Sequence, residues 1–150
     1  EVGSDRIANA TAAHHIYKGT VIVVAMGTAT AFDTVSKEGD YLGGAVAPGI
    51  AISAEALFER TAALPRVEFI RPKSAIGTNT IAAIQSGLIF GYAGLIEGVV
   101  SRIQEELEEK ATVVATGGYA DLIADETKII NVVNPDLTLM GLKILFDMNK

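Results

Sequence analysis

Four short stretches of this sequence could do chemistry. Gly27-Thr28-Ala29-Thr30 lies between two apolar runs. A tight turn there would aim backbone N–H groups and a Thr hydroxyl at one point, which suits a phosphate oxygen, although small residues also fill hairpin turns for steric reasons. Gly117-Gly118 follows another apolar run; two absent side chains could admit a nucleotide there, or simply start a helix. Asp5-Arg6 sets a carboxylate beside a guanidinium, and from spacing alone Asp5 reads as a helix N-cap and Arg6 as a solvated cation. Asn79-Thr80 opens a long apolar pattern, and either residue can cap it. Capping and anion binding are compatible, because a helix N-terminus attracts negative charge.

Other chemistries are excluded. There is no Cys, so disulfides, thiolate catalysis and Cys-ligated metals are out. His14 and His15 are adjacent, and adjacent helical residues point in different directions, which disfavours a paired metal site. The net charge is −6, so a basic face for nucleic acid is not expected. Glu105, Glu106, Glu108 and Glu109 carry much of that acidity and read as a solvated helix end. With 49% hydrophobic and 20% charged residues the chain has enough apolar side chain to bury a core, as a disordered chain does not. No secretory signal opens it, and a cytoplasmic location is expected. The start Glu1-Val2-Gly3, without Met, suggests a fragment, a processed product or an edited chain.

The elements that must position these residues follow from periodicity. Ile7, Ala10, Ala13 and Ile16 mark an amphipathic helix from Asp5 to about Tyr17, ended by Lys18-Gly19. Val21 to Val24, Thr30 to Ser36 and Tyr41 to Ala47 read as strands joined by turns at Gly27-Thr28 and Glu38-Gly39-Asp40. Connections that short force an antiparallel meander. Ile50 to about Ala63 is a helix closed by Pro65, and Arg66 to Gly77 a loop with a short extended piece at Val67–Ile70. A long helix runs from Asn79 or Thr80 to about Glu109. Thr112 to Thr116 and Ile129 to Val133 are strands around a short helix, Tyr119 to Ala124. Asn134-Pro135 starts the last helix, Asp136 to Asn149, with Pro at an early helical position. The order gives an α/β fold, a five-stranded mixed sheet with helices on its faces, the plan of a ribonuclease H-like lobe.

Ile81 to Val100 is twenty residues long and apolar, with Gly87, Gly91, Gly94 and Gly98 at four- and three-residue spacing. Length and glycine spacing fit a membrane helix. Gln85, Ser86 and Glu97 interrupt it and the polar helix continues beyond, so a soluble helix packing closely on a partner is the preferred reading.

Taken together, Gly3-Ser4-Asp5-Arg6-Ile7-Ala8-Asn9-Ala10, Gly27-Thr28-Ala29-Thr30-Ala31-Phe32-Asp33 and Tyr41 to Ile50 resemble the type III pantothenate kinases. Ile76-Gly77-Thr78-Asn79-Thr80, Gln85-Ser86-Gly87 and Thr116-Gly117-Gly118 extend the resemblance over essentially the whole chain. That family belongs with the acetate and sugar kinases, heat-shock cognate proteins and actin, so an actin-like ATPase lobe is implied. The resemblance implies ATP-dependent phosphorylation of pantothenate, the first step toward coenzyme A, with Mg and a monovalent cation, usually potassium. It makes Gly3, Ser4, Asp5 and Arg6 the pantothenate-binding segment, with Asp5 the proton acceptor and Arg6 a partner for a carboxylate or phosphate. Thr80 becomes a further substrate contact, and Gly27, Thr28, Gly117 and Gly118 an ATP-binding set. Asp33 has two open readings: it orients a magnesium-bound water, or it is a surface carboxylate at a strand end.

Two departures qualify this. Ala25 stands where the family has a cation-binding Asp, and a methyl group cannot ligate a hard cation, so potassium is in doubt and no metal ligand is assigned. The family's N-terminal lobe, with an Asp-x-Gly-Asn-Thr phosphate loop, does not precede Gly3 in this chain. Residues 1–150 are therefore expected to be the C-terminal lobe of a two-lobed kinase, incomplete unless a separate N-terminal lobe joins it. A homodimer through the Asn79–Glu109 helix is expected, and no membrane partner. The rival reading is a non-catalytic binding or regulatory remnant resembling Bvg accessory factor.

Overall fold

Four helices of useful length cover the two faces of one twisted sheet. The computed structural model describes residues 3–149, so Glu1 and Val2 of the chain start lie outside it. The elements are α1 (Ser4–Ile16), β1 (Val21–Met26), β2 (Ala29–Val35), β3 (Tyr41–Pro48), α2 (Ile50–Arg60), α3 (Thr80–Glu105), β4 (Thr112–Thr116), α4 (Ala120–Ala124), β5 (Val132–Val133) and α5 (Leu137–Met148). The sheet order is β3-β2-β1-β4-β5. The first three strands form the expected antiparallel meander, and β4 and β5 join in parallel, each reached through a helix. The α/β ribonuclease H-like plan is thus realised as a five-stranded mixed sheet.

Strand β1 is buried almost throughout because both of its faces are covered. On one face Ile22, Val24, Met26, Phe32, Val113 and Ala115 meet Ile84, Leu88, Ile89, Tyr92 and Ile96 of α3. On the other, Val21, Val23 and Val114 meet Ala12 and Ala13 of α1 and Leu137 of α5. Helices α1 and α5 cross tightly: a Cβ on Gly141 would stand 1.8 Å from the Ala8 carbonyl oxygen. The buried Asn9 accepts a bond of 2.6 Å from Thr138 at the same crossing.

Several boundaries differ from those expected, each for a local reason. Helix α2 stops at Arg60, where Thr61 turns extended and its hydroxyl bonds Leu57 O. Val67–Ile70 forms no strand; it lies within the irregular segment 61–79. Helix α3 stops at Glu105, because the Gln104 side chain bonds Glu109 O and Ala111 N and folds the chain back. The acidic run is exposed, and Glu109 in addition accepts a 2.5 Å bond from Thr20 that lowers its pKa. Strand β5 keeps only Val132–Val133, since the Asn131 side chain accepts from Val113 N in place of a backbone carbonyl. Pro135 lies outside α5, whose N-cap is Asp136; Asn134 Oδ1 accepts from Asp136 N and shapes the entry.

Helix α3 is long and apolar enough to cross a membrane, but its apolar side is the core of this fold. Gly87, Gly91, Gly94 and Gly98 face the other way, with open space where a Cβ would stand.

Candidate active site

Because β1 and β4 are parallel neighbours, the turns that follow them share one edge of the sheet. Gly27 N donates to Ala29 O at 3.1 Å, closing the first turn. Gly49, the N-cap of α2, donates to Thr28 O at 3.1 Å, and a Cβ on it would come within 2.4 Å of the carbonyl oxygens of Gly27 and Thr28. Gly117 has φ +104°, and its Cβ would meet Met26 O at 2.3 Å. Gly27, Thr28 and Gly117 are thus brought together by backbone packing that admits no side chains at 49 and 117. Gly118 follows, exposed, with open space at its Cα. Gly117 also serves the alternative role foreseen for it, since Ala120 N donates to its carbonyl at the start of α4.

Behind the turn, the buried Thr30 bonds Pro48 O at 3.0 Å and the Tyr92 hydroxyl at 2.5 Å. Burial raises the pKa of Tyr92, partly offset by the bond to Thr30. This contact ties the first residues of β2 to the middle of α3.

The second region is the first turn of α1. Gly3 is its N-cap and supplies no side chain, so Asp5 is not the cap but a first-turn residue, exposed together with Gly3 and Ser4. A carboxylate there complements the helix dipole. Arg6 is not a solvated cation. Its Nε and Nη2 donate to Asp33 Oδ1 at 2.9 and 2.6 Å, and the Tyr41 hydroxyl donates to the same oxygen at 2.6 Å. Arg6 Nη2 also lies 3.0 Å from the Tyr41 hydroxyl oxygen. The bond to Asp33 raises the pKa of Arg6, and burial followed by the Asp33 bond raises that of Tyr41.

Asp33 itself is fully buried, on the face of β2 that meets α1. It is therefore no surface carboxylate, and its Oδ1 is taken up by Arg6 and Tyr41. Its Oδ2 is enclosed and without a partner among the described residues. The pairing could have been suspected: a charge in the middle of an apolar strand needs a partner. Nothing in the spacing named Arg6, which lies 27 residues away. Nothing in the spacing marked Gly49 as a wall of the turn either.

Thr80 is the first residue of α3, exposed, and the cap is Asn79, whose side chain accepts from Ala82 N at 2.8 Å. With Ala63, Pro65 and Gln85 it lines an open hollow. The structure does not bring Thr80 to Asp5, because α3 and α1 cover opposite faces of the sheet. Ala25 sits half-buried between Ala31 and Thr116. The Ala25 methyl offers no oxygen to a potassium ion at that position.

A family model, described as type III pantothenate kinase, matches residues 1–102. The chain belongs to the type III pantothenate kinase family. A type III pantothenate kinase of Dehalococcoides mccartyi strain CBDB1 is 59% identical over 150 residues, all of this chain and 57% of the relative. One from Roseiflexus sp. strain RS-1 is 57% identical over all of this chain and 59% of its own length. The chain therefore spans somewhat over half the length of these relatives. Among solved structures, a Baf family protein from Campylobacter jejuni superposes with a TM-score of 0.68 at 24% identity, covering 99% of this chain and 65% of that one. A polyphosphate/ATP-glucomannokinase from Arthrobacter sp. strain KM gives 0.55 at 17%, covering 97% and 56%. Those two likenesses establish the fold and nothing finer.

Proposed function

We propose that this chain forms the acceptor-side lobe of a cytoplasmic type III pantothenate kinase, transferring a phosphoryl group from ATP to pantothenate once an N-terminal lobe joins it. The observation that carries the reading is the convergence of Gly27-Thr28 and Gly117 at one sheet edge, held by contacts that exclude a Cβ. Backbone N–H groups and the Thr28 hydroxyl there suit phosphate oxygens, and Gly117-Gly118 leaves room for the nucleotide. Asp5, exposed on the first turn of α1, is the proton acceptor for the substrate hydroxyl, with Gly3, Ser4 and Arg6 around the substrate. Because phosphoryl transfer depends on positioning and charge stabilisation across a cleft, one lobe alone leaves the phosphates facing water.

Magnesium would arrive with ATP and would supply charge neutralisation at its phosphates; Asp33, engaged by Arg6 and Tyr41, is not assigned to it. Ala25 argues for weak or absent potassium dependence, and Ala25→Asp should raise that dependence. Thr80 can contact substrate beside Asp5 only if another copy presents it. The open glycine row on α3 offers a surface for such a homodimer.

The test is ADP release with pantothenate. The chain alone should stay near background, adding an N-terminal lobe should bring turnover, and Asp5→Asn should abolish it. Robust turnover by the chain alone would overturn the two-lobe requirement. A Cβ at Gly91 would meet nothing within 4 Å, so for Gly91→Leu a shift toward monomer by light scattering would report a lost partner; unchanged mass would remove that interface.

A further inference from the structure

Helix α1 begins without a side-chain cap, yet it carries the proposed proton acceptor in its first turn. Further along, Ala8 and Asn9 pin the helix to α5. Ahead of that crossing, the Arg6 side chain is the polar link between the first turn and the sheet. Its anchor is demanding. Asp33 is fully buried, and three donors converge on its Oδ1 while Oδ2 has none among the described residues. A buried carboxylate compensated through one oxygen is costly to leave unpaired, so the pair has a strong preference for this one arrangement. Close packing leaves it little freedom: a Cβ on Gly44 would stand 3.1 Å from Asp33 Oδ1 and 1.7 Å from Phe32 O. Tyr41, on the edge strand β3, closes over the pair and shares both of its members.

We propose that Asp33 and Tyr41 are positioning residues: they hold Arg6, and through it the first turn of α1, so that Asp5 keeps its aim at the acceptor hydroxyl. This rests on the kinase reading for the role of Asp5, but the tether itself does not. A proton acceptor must lie within hydrogen-bond reach of the proton it takes, and small displacements at that distance are expensive in rate. Arg6 also meets any anionic substrate with its charge already balanced by Asp33, which makes it a weaker direct anion partner than an unpaired guanidinium.

Two measurements on Asp33→Asn decide it. Amide hydrogen exchange of the 150-residue chain should quicken at residues 4–7 and stay unchanged at residues 12–16. With the N-terminal lobe supplied, kcat should fall at least about tenfold, as a misplacement below 1 Å would give, while KM for pantothenate stays within about twofold. Tyr41→Phe, which keeps the ion pair, should move both readouts the same way by less, and it serves if Asp33→Asn fails to fold. Unchanged exchange at residues 4–7 would overturn the tether. A rise in KM with kcat intact would overturn positioning and make Arg6 a direct substrate ligand. If Asp5→Asn also leaves turnover intact, the failure lies in the role given to Asp5, while exchange still reports on the tether.

Discussion

The two regions of the candidate site are built by different means. At the Gly27-Thr28 and Gly117 edge, shape comes from backbone meeting backbone, with glycines at 49 and 117 where carbonyl oxygens stand within 2.4 Å of any Cβ. At the first turn of α1, shape comes from charge: Arg6, Asp33 and Tyr41 share one carboxylate oxygen. Steric walls act at all pH values and salt concentrations. A charged tether can be loosened by removing one proton acceptor or one donor, without moving the backbone. The two regions should therefore fail in different ways.

Gly117→Ala should have the largest effect. It combines a positive φ with a collision against Met26 O that no rotamer relieves, and should cost about 4 kcal/mol in urea denaturation. If it costs less than Arg6→Met, the contrast between wall and tether is wrong. Arg6→Met strands Asp33 in the core and should cost about 3 kcal/mol, with much of that recovered in the double variant carrying Asp33→Asn as well. Additive losses would show that the two side chains do not act as a pair.

Tyr92→Phe tests the polar prop behind the turn. Thr30 keeps Pro48, so the loss should be about 1 kcal/mol near neutral pH. The pKa of Tyr92 is raised in the folded chain, so its contribution is complete below the unfolded value of about 10 and is lost as pH rises through the folded one. The parent chain should consequently lose stability more steeply above pH ~10 than Tyr92→Phe. Thr20→Val should be the smallest and acts as a control far from both regions. Glu109, its pKa lowered by Thr20, contributes stability above the ordinary carboxylate range, about pH 4, that is lost as pH falls through the folded value. The substitution should flatten the acid limb of the stability profile and leave ligand binding unchanged.

Periodicity and turn residues made the sheet legible, because β-branched runs, glycine turns and capping residues act locally. Strand and helix ends were misjudged where a side chain replaced a backbone partner, at Asn131 in β5 and Gln104 in α3. The glycines of the site were visible as residues, but the wall at Gly49 was not, since it depends on a contact between β1–β2 and the start of α2. Asp5 and Arg6 were visible too. Their context was not, because the Arg6–Asp33 link spans 27 residues and two elements with no shared period. The resemblance made Thr80 and Asp5 contacts of one substrate, and the fold sets α3 and α1, which carry them, on opposite sides of the sheet.

Asp33 has a spectroscopic consequence. With three donors on Oδ1 and none on Oδ2 among the described residues, its two C–O bonds cannot be equivalent. The bonded side lengthens toward a single bond and the bare side shortens toward a carbonyl, so the two stretching vibrations separate more widely than in a hydrated carboxylate. In an infrared spectrum of aspartate-labelled chain, that one side chain should stand clear of the solvated acids, an optical marker for whether the first turn of α1 is in place.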